Sequence, residues 1–413
     1  MKKINNLLFT LIIIALILGV ILGYFVHITC PEITINKFSS NIKILSSIFI
    51  RLIQMVVAPL VFSTLVVGIA KMGDLKMVGR VGGKAMLWFI SASLVSLFIG
   101  LFFVNYFAPG KDIGNMGQIN KEAANELITN SQSLTLETFI NHMIPKSAIE
   151  AMAHNEILQI VIFSIFFGIA LSAYGKKGES LTKLLDTVSH VILKIVTYVM
   201  WTAPIGVLGA IASIVAEKGL SIFITYVRYL FAFGIAILIL WFVLLLVGYF
   251  VLGKRLFKLL KQIKSPLLIA FSTSSSEAVF PKLVEELENF GCNEKIVSFI
   301  LPLGYSFNLD GSMMYMTFAS IFIAQYYGIH LDIPTQLTML LVLMLTSKGM
   351  AGIPRASLIV VVAVCSMFGI PPEGIALILP IDHFCDMVRS ITNVLGNALA
   401  ATSVSKWEKS LDS

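Results

Sequence analysis

Five polar residues recur through an apolar stretch near the end of the chain: Asp382, Asp386, Arg389, Asn393 and Asn397. They are spaced by threes and fours. At about 100° of rotation per residue they share one helix face, within an arc of roughly 100°, with Ser390 at its edge. The other face is Ile, Val, Leu and Ala. Such a set can do binding chemistry. A guanidinium holds a carboxylate through two parallel hydrogen bonds, a carboxylate holds an ammonium, and amides supply neutral donors and acceptors. Ionisable groups in hydrocarbon are costly and normally mark a substrate or ion path. A purely structural Asp–Arg pair is the bland alternative. Five positions in register weigh against it for the whole set, while one or two members, Asp382 first, stay open as structural.

The elements that carry this face follow from composition. The chain has 413 residues, 57% hydrophobic and 13% charged, with mean hydropathy +0.90. So few charges describe an all-α polytopic membrane protein rather than a soluble domain. The net charge of +7 does not call for nucleic acid as a partner, because its distribution reports topology. Cys30, Cys292, Cys365 and Cys385 stand far apart, with no CxxC and no clustered His, so no metal site, cofactor or disulfide framework is expected. Met1-Lys2-Lys3 precedes an apolar run with no small-residue cleavage site after Gly23. That run is expected to be the first span rather than a cleaved leader.

Spans are expected at residues 7–27, 43–71, 82–107, 156–174, 185–213 and 220–252, with polar residues 31–42 between the first two. Basic turns follow the second span (Lys71, Lys76, Arg80, Lys84), the fourth (Lys176, Lys177, Lys183) and the sixth (Lys254, Arg255, Lys258, Lys261, Lys264), while the loop at 108–155 has no Arg. Their alternation predicts cytoplasmic termini by the positive-inside rule.

The pattern then changes. Residues 266–280 are apolar but interrupted by Ser272-Thr273-Ser274-Ser275-Ser276-Glu277. The arms are too short to cross, which predicts a re-entrant hairpin. A seventh span at 296–326 is broken by Ser306-Phe307-Asn308-Leu309-Asp310-Gly311-Ser312. Residues 333–370 repeat the hairpin from the opposite side around Thr346-Ser347-Lys348-Gly349-Met350-Ala351-Gly352-Ile353-Pro354-Arg355. The last span, 373–404, carries the polar face, and Lys406 and Trp407 end it. Eight spans and two hairpins entering from opposite sides form an inverted repeat, a sequence pointer to a secondary transporter's binding site.

At these residues the sequence resembles the dicarboxylate/amino acid:cation symporter family, which includes the glutamate transporters, and within it the bacterial proton-coupled glutamate/aspartate carriers. The Ser-rich tip, Asn308-Leu309-Asp310-Gly311-Ser312, Ala351-Gly352-Ile353-Pro354 and Asp386 through Asn397 carry the resemblance. It implies a homotrimer with an elevator fold in a bacterial-type inner (plasma) membrane. Residues 1–81 (spans 1–2) and 156–218 (spans 4–5) would form a static scaffold. Residues 82–110 (span 3) and 219–405 would form a moving transport domain, with an extracytoplasmic loop at 111–155 and a cytoplasmic tail at 406–413. It implies no enzyme activity.

The resemblance also implies roles. Arg389 would take a substrate side-chain carboxylate and Asp386 the ammonium. Asn393, Ser276 with its neighbours Ser274 and Ser275, Ser312, Ser390, Gly352 and Pro354 would complete the binding shell. Lys348 and Arg355 lie in the gate; Lys348 is equally readable as a charge snorkelling outward, and Arg355 as a partner for Glu277 across the closed gate, a substrate contact or a solvated tip charge. The coupling set is Asn308, Asp310, Asn397 and Glu277. Sodium-driven members use span 3 oxygens where this chain has Phe89, Ala92 and Ser93, and a carboxylate where it has Asn397. Hard cations need oxygen ligands, so the departures point to protons, with a residual sodium site left open. Met316 removes one proton-binding Glu known in the family, leaving Glu277 and Asp310 as joint candidates. The expected partners are an acidic amino acid, protons, membrane lipid and two further copies of the chain. The alternatives are a sodium-coupled symporter of acidic amino acids or C4-dicarboxylates, a channel, and an intramembrane hydrolase. The last lacks GxSxG, HExxH and any His near the Ser cluster in sequence.

Overall fold

The computed structural model describes residues 2–72, 75–111, 144–219, 226–347 and 356–412. Among them the chain is helical, without strands beyond one isolated bridge, Cys292 with Leu411. Five stretches are long and apolar enough to cross a membrane: Thr10–Thr29, Glu32–Lys71, Lys76–Phe107, Gly175–Glu217 and Val227–Leu252. Large apolar side chains lie open on their outer faces, such as Leu238, Phe242 and Phe250. A helix apolar all round is suited to lipid.

Helix α1 (Lys2–Thr29) is followed by α2 (Glu32–Met72) and α3 (Leu75–Phe107). The polar stretch 31–42, expected to lie outside a span, is helix from residue 32 onward. Polarity alone does not break the i→i−4 ladder, and Pro31, which lacks an N–H, sits just before the first turn. The stretch is held by packing: Ser39 and Ser213 hydroxyls meet at 2.8 Å. A short α4 (Ala148–Ala153) precedes α5 (Ile157–Ala173). The expected single span 185–213 is two helices, α6 (Glu179–Val199) and α7 (Ala203–Lys218), joined by a 3-10 turn at Met200–Thr202. Pro204 sits in the first turn of α7, where its missing N–H leaves no bond unmade.

Helix α8 (Val227–Leu252) leads to α9 (Arg255–Gln262) and then to the first hairpin, α10 (Lys264–Thr273) and α11 (Phe280–Phe290). The broken span is α12 (Glu294–Phe307) and α13 (Asp310–Tyr326). The second hairpin's arms are α14 (Ile333–Thr346) and α15 (Ala356–Met367). Its tip, with Lys348, Gly352, Pro354 and Arg355, lies outside the described residues, as does most of the loop at 111–155. Helix α16 (Leu379–Trp407) closes the chain.

Two packing groups emerge. In one, α1 runs along α7, and α2 along α5, α6 and α7. In the other, α16 is wrapped by α8, α10, α12 and α13, with α3 against α8 and α13, and α15 on α13. The groups meet where α2 lies on α12 and where α10 touches α1 and α7. At the end of α2, Lys71 Nζ reaches Asp186 of α6 at 2.8 Å and Glu294 of α12 at 3.4 Å, and Lys295 donates to the Lys71 carbonyl.

The residues after α16, within the expected tail 406–413, dock back onto the bundle. Glu408 pairs with Arg80 at 2.7 Å and Lys84 at 2.6 Å. Hydrogen bonds from Arg80, together with those two positive charges, hold its carboxyl down at about 2. Trp407 packs on Trp88 with ring centroids 5.9 Å apart, and Asp412 N–H donates to the Gly291 carbonyl at 2.9 Å.

Candidate functional site

The polar face of α16 divides into three parts. The first is the Asp386–Arg389 pair, one helical turn apart and in direct contact, with side chains 24% and 18% exposed. Arg389 Nη1 donates to Ser312 Oγ at 3.2 Å and to Ser357 Oγ at 2.7 Å. Its Nε is buried with no hydrogen-bond partner among the described residues. The guanidinium is thus held from three helices, with the Nε donor left over. Asn393 completes the cluster. Its Nδ2 donates to Ser312 Oγ at 3.0 Å, and its Oδ1 accepts from the N–H groups of Gly311 at 2.8 Å and Ser312 at 3.3 Å. Those N–H groups belong to the first turn of α13, where orphan donors are expected. The break in the span is therefore what lets Asn393 cap α13. At Gly311 a Cβ would collide with the Arg389 carbonyl, so the two helices cross at backbone contact. Ser390 is buried on the same helix, outside this cluster.

The second part is a polar layer deeper in the bundle. Asn308, Asp310 and Asn397 are each 0% exposed, and Asn308 Nδ2 donates to Asn397 Oδ1 at 3.1 Å. Asn308 Oδ1 and Asn397 Nδ2 have no hydrogen-bond partner among the described residues. The Asp310 carboxylate lies over Gly396, where any Cβ would strike it. From α3, Ser96 donates to the Asp310 carbonyl, while Phe89 and Ala92 bring only hydrocarbon to the buried face. The structure thus assembles three of the four expected coupling residues.

The fourth, Glu277, stands apart. It lies in a one-turn 3-10 segment, Glu277–Val279, that packs on α2. There it lines a small cavity with Val57, Val61, Ile157, Phe280, Pro302 and Tyr305. The Arg389–Asp386 cluster is not part of that cavity.

The serines of the first hairpin also separate. Ser272 bonds back to the Leu268 carbonyl at 2.7 Å, and Ser275 Oγ accepts from Ala278 N–H at 3.2 Å. Both are spent on local structure. Ser274 is left-handed at φ 52°, and its Oγ sits 3.5 Å from His383 Nε2. The expectation that no His lies near the Ser cluster holds only along the sequence. Packing of α10 on α16 brings His383 in from 109 residues away. Ser276 is half-buried at the tip.

The third part is Asp382, which accepts from the Tyr315 hydroxyl at 2.6 Å and is 7% exposed.

The cluster holds a charged pair, hydroxyl and amide donors, and an arm of the second hairpin touching the guanidinium. Comparison with known proteins decides the family. Residues 8–407 match the model of the sodium:dicarboxylate symporter family. The chain belongs to the sodium:dicarboxylate symporter family. Among its relatives, the C4-dicarboxylate transport protein of Bacillus subtilis (strain 168) is 39% identical over 407 residues, covering 98% of this chain and 95% of the relative. The proton/sodium-glutamate symport protein of Geobacillus stearothermophilus is 38% identical over 401 residues, covering 96% and 93%. The C4-dicarboxylate transport protein of Acinetobacter baylyi is 38% identical over 418 residues, covering 100% and 93%. By family and by these names the symporter is a membrane transporter and not an enzyme. The names divide between two substrates and two ions.

Two neighbours of the polar helix were not legible in the symporter's sequence. Ser357 is a small hydroxyl in an apolar helix and carries no periodic signal. Only the fold puts it on Arg389. Trp241 donates to Thr392 Oγ1 at 2.9 Å, pinning α8 to the back of the polar helix. Its position in an unbroken apolar run gave no sign of a partner.

Proposed function

We propose that this symporter imports glutamate or aspartate together with protons. The observation that carries the reading is the Asp386–Arg389 contact held by Ser312, Ser357 and Asn393. An acidic amino acid has an ammonium for Asp386, a side-chain carboxylate for the free edge of Arg389, and a main-chain carboxylate for neutral donors such as Asn393 and the first-hairpin tip. A buried charge without its partner costs several kcal/mol by order of magnitude, so this match selects substrates strongly.

A C4-dicarboxylate is the second reading, favoured by the names of the Bacillus subtilis and Acinetobacter baylyi relatives. Asp386 is what opposes it. A succinate-like ligand would set a second anion beside that carboxylate with no ammonium to offset it.

Proton coupling is supported by Phe89, whose ring comes up beside Asn397 at Gly304 and offers only hydrocarbon there, and by Asn397 standing where a carboxylate would add charge for a cation. The carriers in this reading are Glu277 and Asp310. Ser274, Ser276, Ser390, Gly352 and Pro354 complete the substrate shell, and Lys348 and Arg355 the outer gate. The moving body comprises α3 and α8 through α16, and α1, α2 and α5 to α7 form the scaffold. The two packing groups support that division. An eight-span elevator, a homotrimer and cytoplasmic termini belong to the same reading.

The test is uptake of labelled aspartate and succinate into proteoliposomes, with sodium and pH gradients imposed separately. Aspartate uptake driven by inward protons without sodium is expected. A strict sodium requirement refutes the coupling, and succinate uptake without aspartate uptake refutes the substrate. Arg389→Ala leaves Asp386, 24% exposed, without its cation, removes the substrate carboxylate's partner and should abolish aspartate uptake.

A further inference from the structure

The connection from α8 to the first hairpin carries a surface that takes no part in the polar cluster of α16. Helix α8, long and apolar enough to cross a membrane, ends at Leu252, and α9 begins at Arg255. Gly253 between them is left-handed, with φ 63°. The chain turns there, and α9 packs back on the end of the span. Leu256 lies beside Gly248, and the Phe257 ring is 6.3 Å from that of Tyr249. Helix α9 is thereby set where hydrocarbon gives way to headgroups. Tyr249, Phe250 and Phe257 open outward at this level. Such rings suit the zone between acyl chains and headgroups.

The helix Arg255-Leu256-Phe257-Lys258-Leu259-Leu260-Lys261-Gln262 divides by side. At about 100° per residue, Lys254, Phe257, Lys258 and Lys261 fall within an arc of roughly 100°, and all four are exposed. Leu256 and Leu259 lie on the opposite side and are buried. The polar groups of the inner side are already engaged. Arg255 donates to the Asp412 carbonyl and lies over the Phe290 ring at 5.5 Å. Gln262 donates to Glu286 of α11, and Glu285 and Glu286 hold Lys282 at 3.0 Å and 2.9 Å. The three outer lysines form no ion pair among the described residues. The first turn of α9 has no acidic residue, so Lys254 and Arg255 oppose the helix dipole. Cations gathered round an exposed ring weaken a short helix in water and anchor it on an anionic surface.

We propose that the Lys254–Phe257–Lys258–Lys261 face of α9 docks on anionic phospholipid. The ammoniums take negatively charged phosphodiester headgroups, and the Phe257 ring dips between acyl chains. Continuity and charge together select this occupant. The face adjoins the open apolar surface of α8, where Phe242, Leu246 and Phe250 lie exposed, so lipid already reaches its edge. An acidic soluble partner would have to displace that lipid to sit on Phe257. Each lysine close to an anionic surface strengthens attachment about fivefold. Helix α9 leads directly into α10, so bound headgroups hold the base of the first hairpin at the bilayer surface. The docking is independent of which substrate or ion is carried.

The experiment uses the full chain in uncharged detergent. It titrates phosphatidylglycerol or phosphatidylcholine and reads bound lipid per protein by native mass spectrometry. Phosphatidylglycerol should bind more tightly than phosphatidylcholine. Lys254→Gln/Lys258→Gln should lose about 25-fold in affinity for phosphatidylglycerol, about fivefold for each lysine, with phosphatidylcholine unchanged. Lys254→Arg/Lys258→Arg should bind like wild type. Lys176→Gln/Lys177→Gln removes the same charge from another exposed basic turn and should also bind like wild type. Phe257→Ser should weaken phosphatidylglycerol binding while unfolding at the wild-type temperature in detergent without lipid. Equal affinity of the wild type for the two lipids overturns the proposal. So does an equal loss in the two glutamine pairs, which would assign the effect to net charge. Displacement of the lipid by an equal concentration of glycerol phosphate would mean a site for soluble anions, and overturns it as well. Tighter binding of a polyglutamate peptide than of phosphatidylglycerol would give the face to an acidic protein instead.

Discussion

Tyr315 donates its hydroxyl hydrogen to Asp382 at 2.6 Å, and both side chains are buried. The bond ties the middle of α13 to the first turn of α16, one turn before the Asp386–Arg389 pair. It gives the Asp382 carboxylate a partner inside the bundle, apart from the Asp386–Arg389 pair. Tyr315→Phe removes one donor from a buried acid, at a cost of ~1–3 kcal/mol. It should lower the unfolding temperature while leaving the KM for aspartate unchanged. A large change in KM with no loss of thermal stability would place Asp382 in the binding network instead.

Asp386 is the residue on which the two substrate readings divide. Asp386→Ser removes the partner for an ammonium and relieves repulsion of a second carboxylate. Competition assays should show the ratio of succinate to aspartate affinity rising by at least about tenfold, the equivalent of ~1.4 kcal/mol. A ratio that falls or stays fixed speaks against an ammonium contact at this position.

Ser357 links the second hairpin to the guanidinium through a 2.7 Å bond. Hydrogen bonds to charged groups contribute ~1.5–3 kcal/mol, so Ser357→Ala should weaken aspartate binding by roughly 10- to 100-fold. Ser357→Thr, which keeps the hydroxyl, should restore most of it. Equal loss in both variants would mean that packing, not the hydroxyl, matters there.

The clamp of Glu408 on Arg80 and Lys84 has a pH signature. Its carboxyl is held at about 2, below the ordinary 4.5. A group with a depressed folded value stabilises the fold above its unfolded value, and that contribution fades as pH falls from the ordinary value through the folded one. Glu408→Gln should therefore unfold at lower temperature than wild type at neutral pH, with the gap closing on acidification from about 4.5 toward about 2. A gap that persists unchanged in acid would assign the loss to shape rather than charge. Thermal unfolding in detergent, followed across pH, reads this directly.

Residue types and periodicity carried most of the functional content of this chain. Arg389, Asp386 and Asn393 share a helix face because 3.6-residue geometry leaves them no other arrangement, and the interrupted runs at 272–277 and 306–312 exposed backbone where apolar helices would hide it. Those signals are local, and local rules reach about one helical turn. They could not say that 31–42 continues as helix, that a 3-10 turn at Met200–Thr202 divides a span, or that the residues after α16 fold back. Each of these depends on a partner distant in the chain or on a break in the backbone ladder.

The division of labour among the carboxylates was also beyond local rules. Asp310, Asp382, Asp386 and Glu277 are alike as side chains. Asp310 is set over Gly396, Asp382 under Tyr315, Asp386 against Arg389 and Glu277 toward the wall of α2. Sequence by itself determined that this is an α-helical membrane protein with ionisable groups gathered on one helix face, because burial of charge in apolar helices is too costly to be incidental. Only the tertiary structure decided which acid meets which partner, because helix crossings, fixed by small residues such as Gly311 and Gly396, set distances that no spacing along one helix encodes.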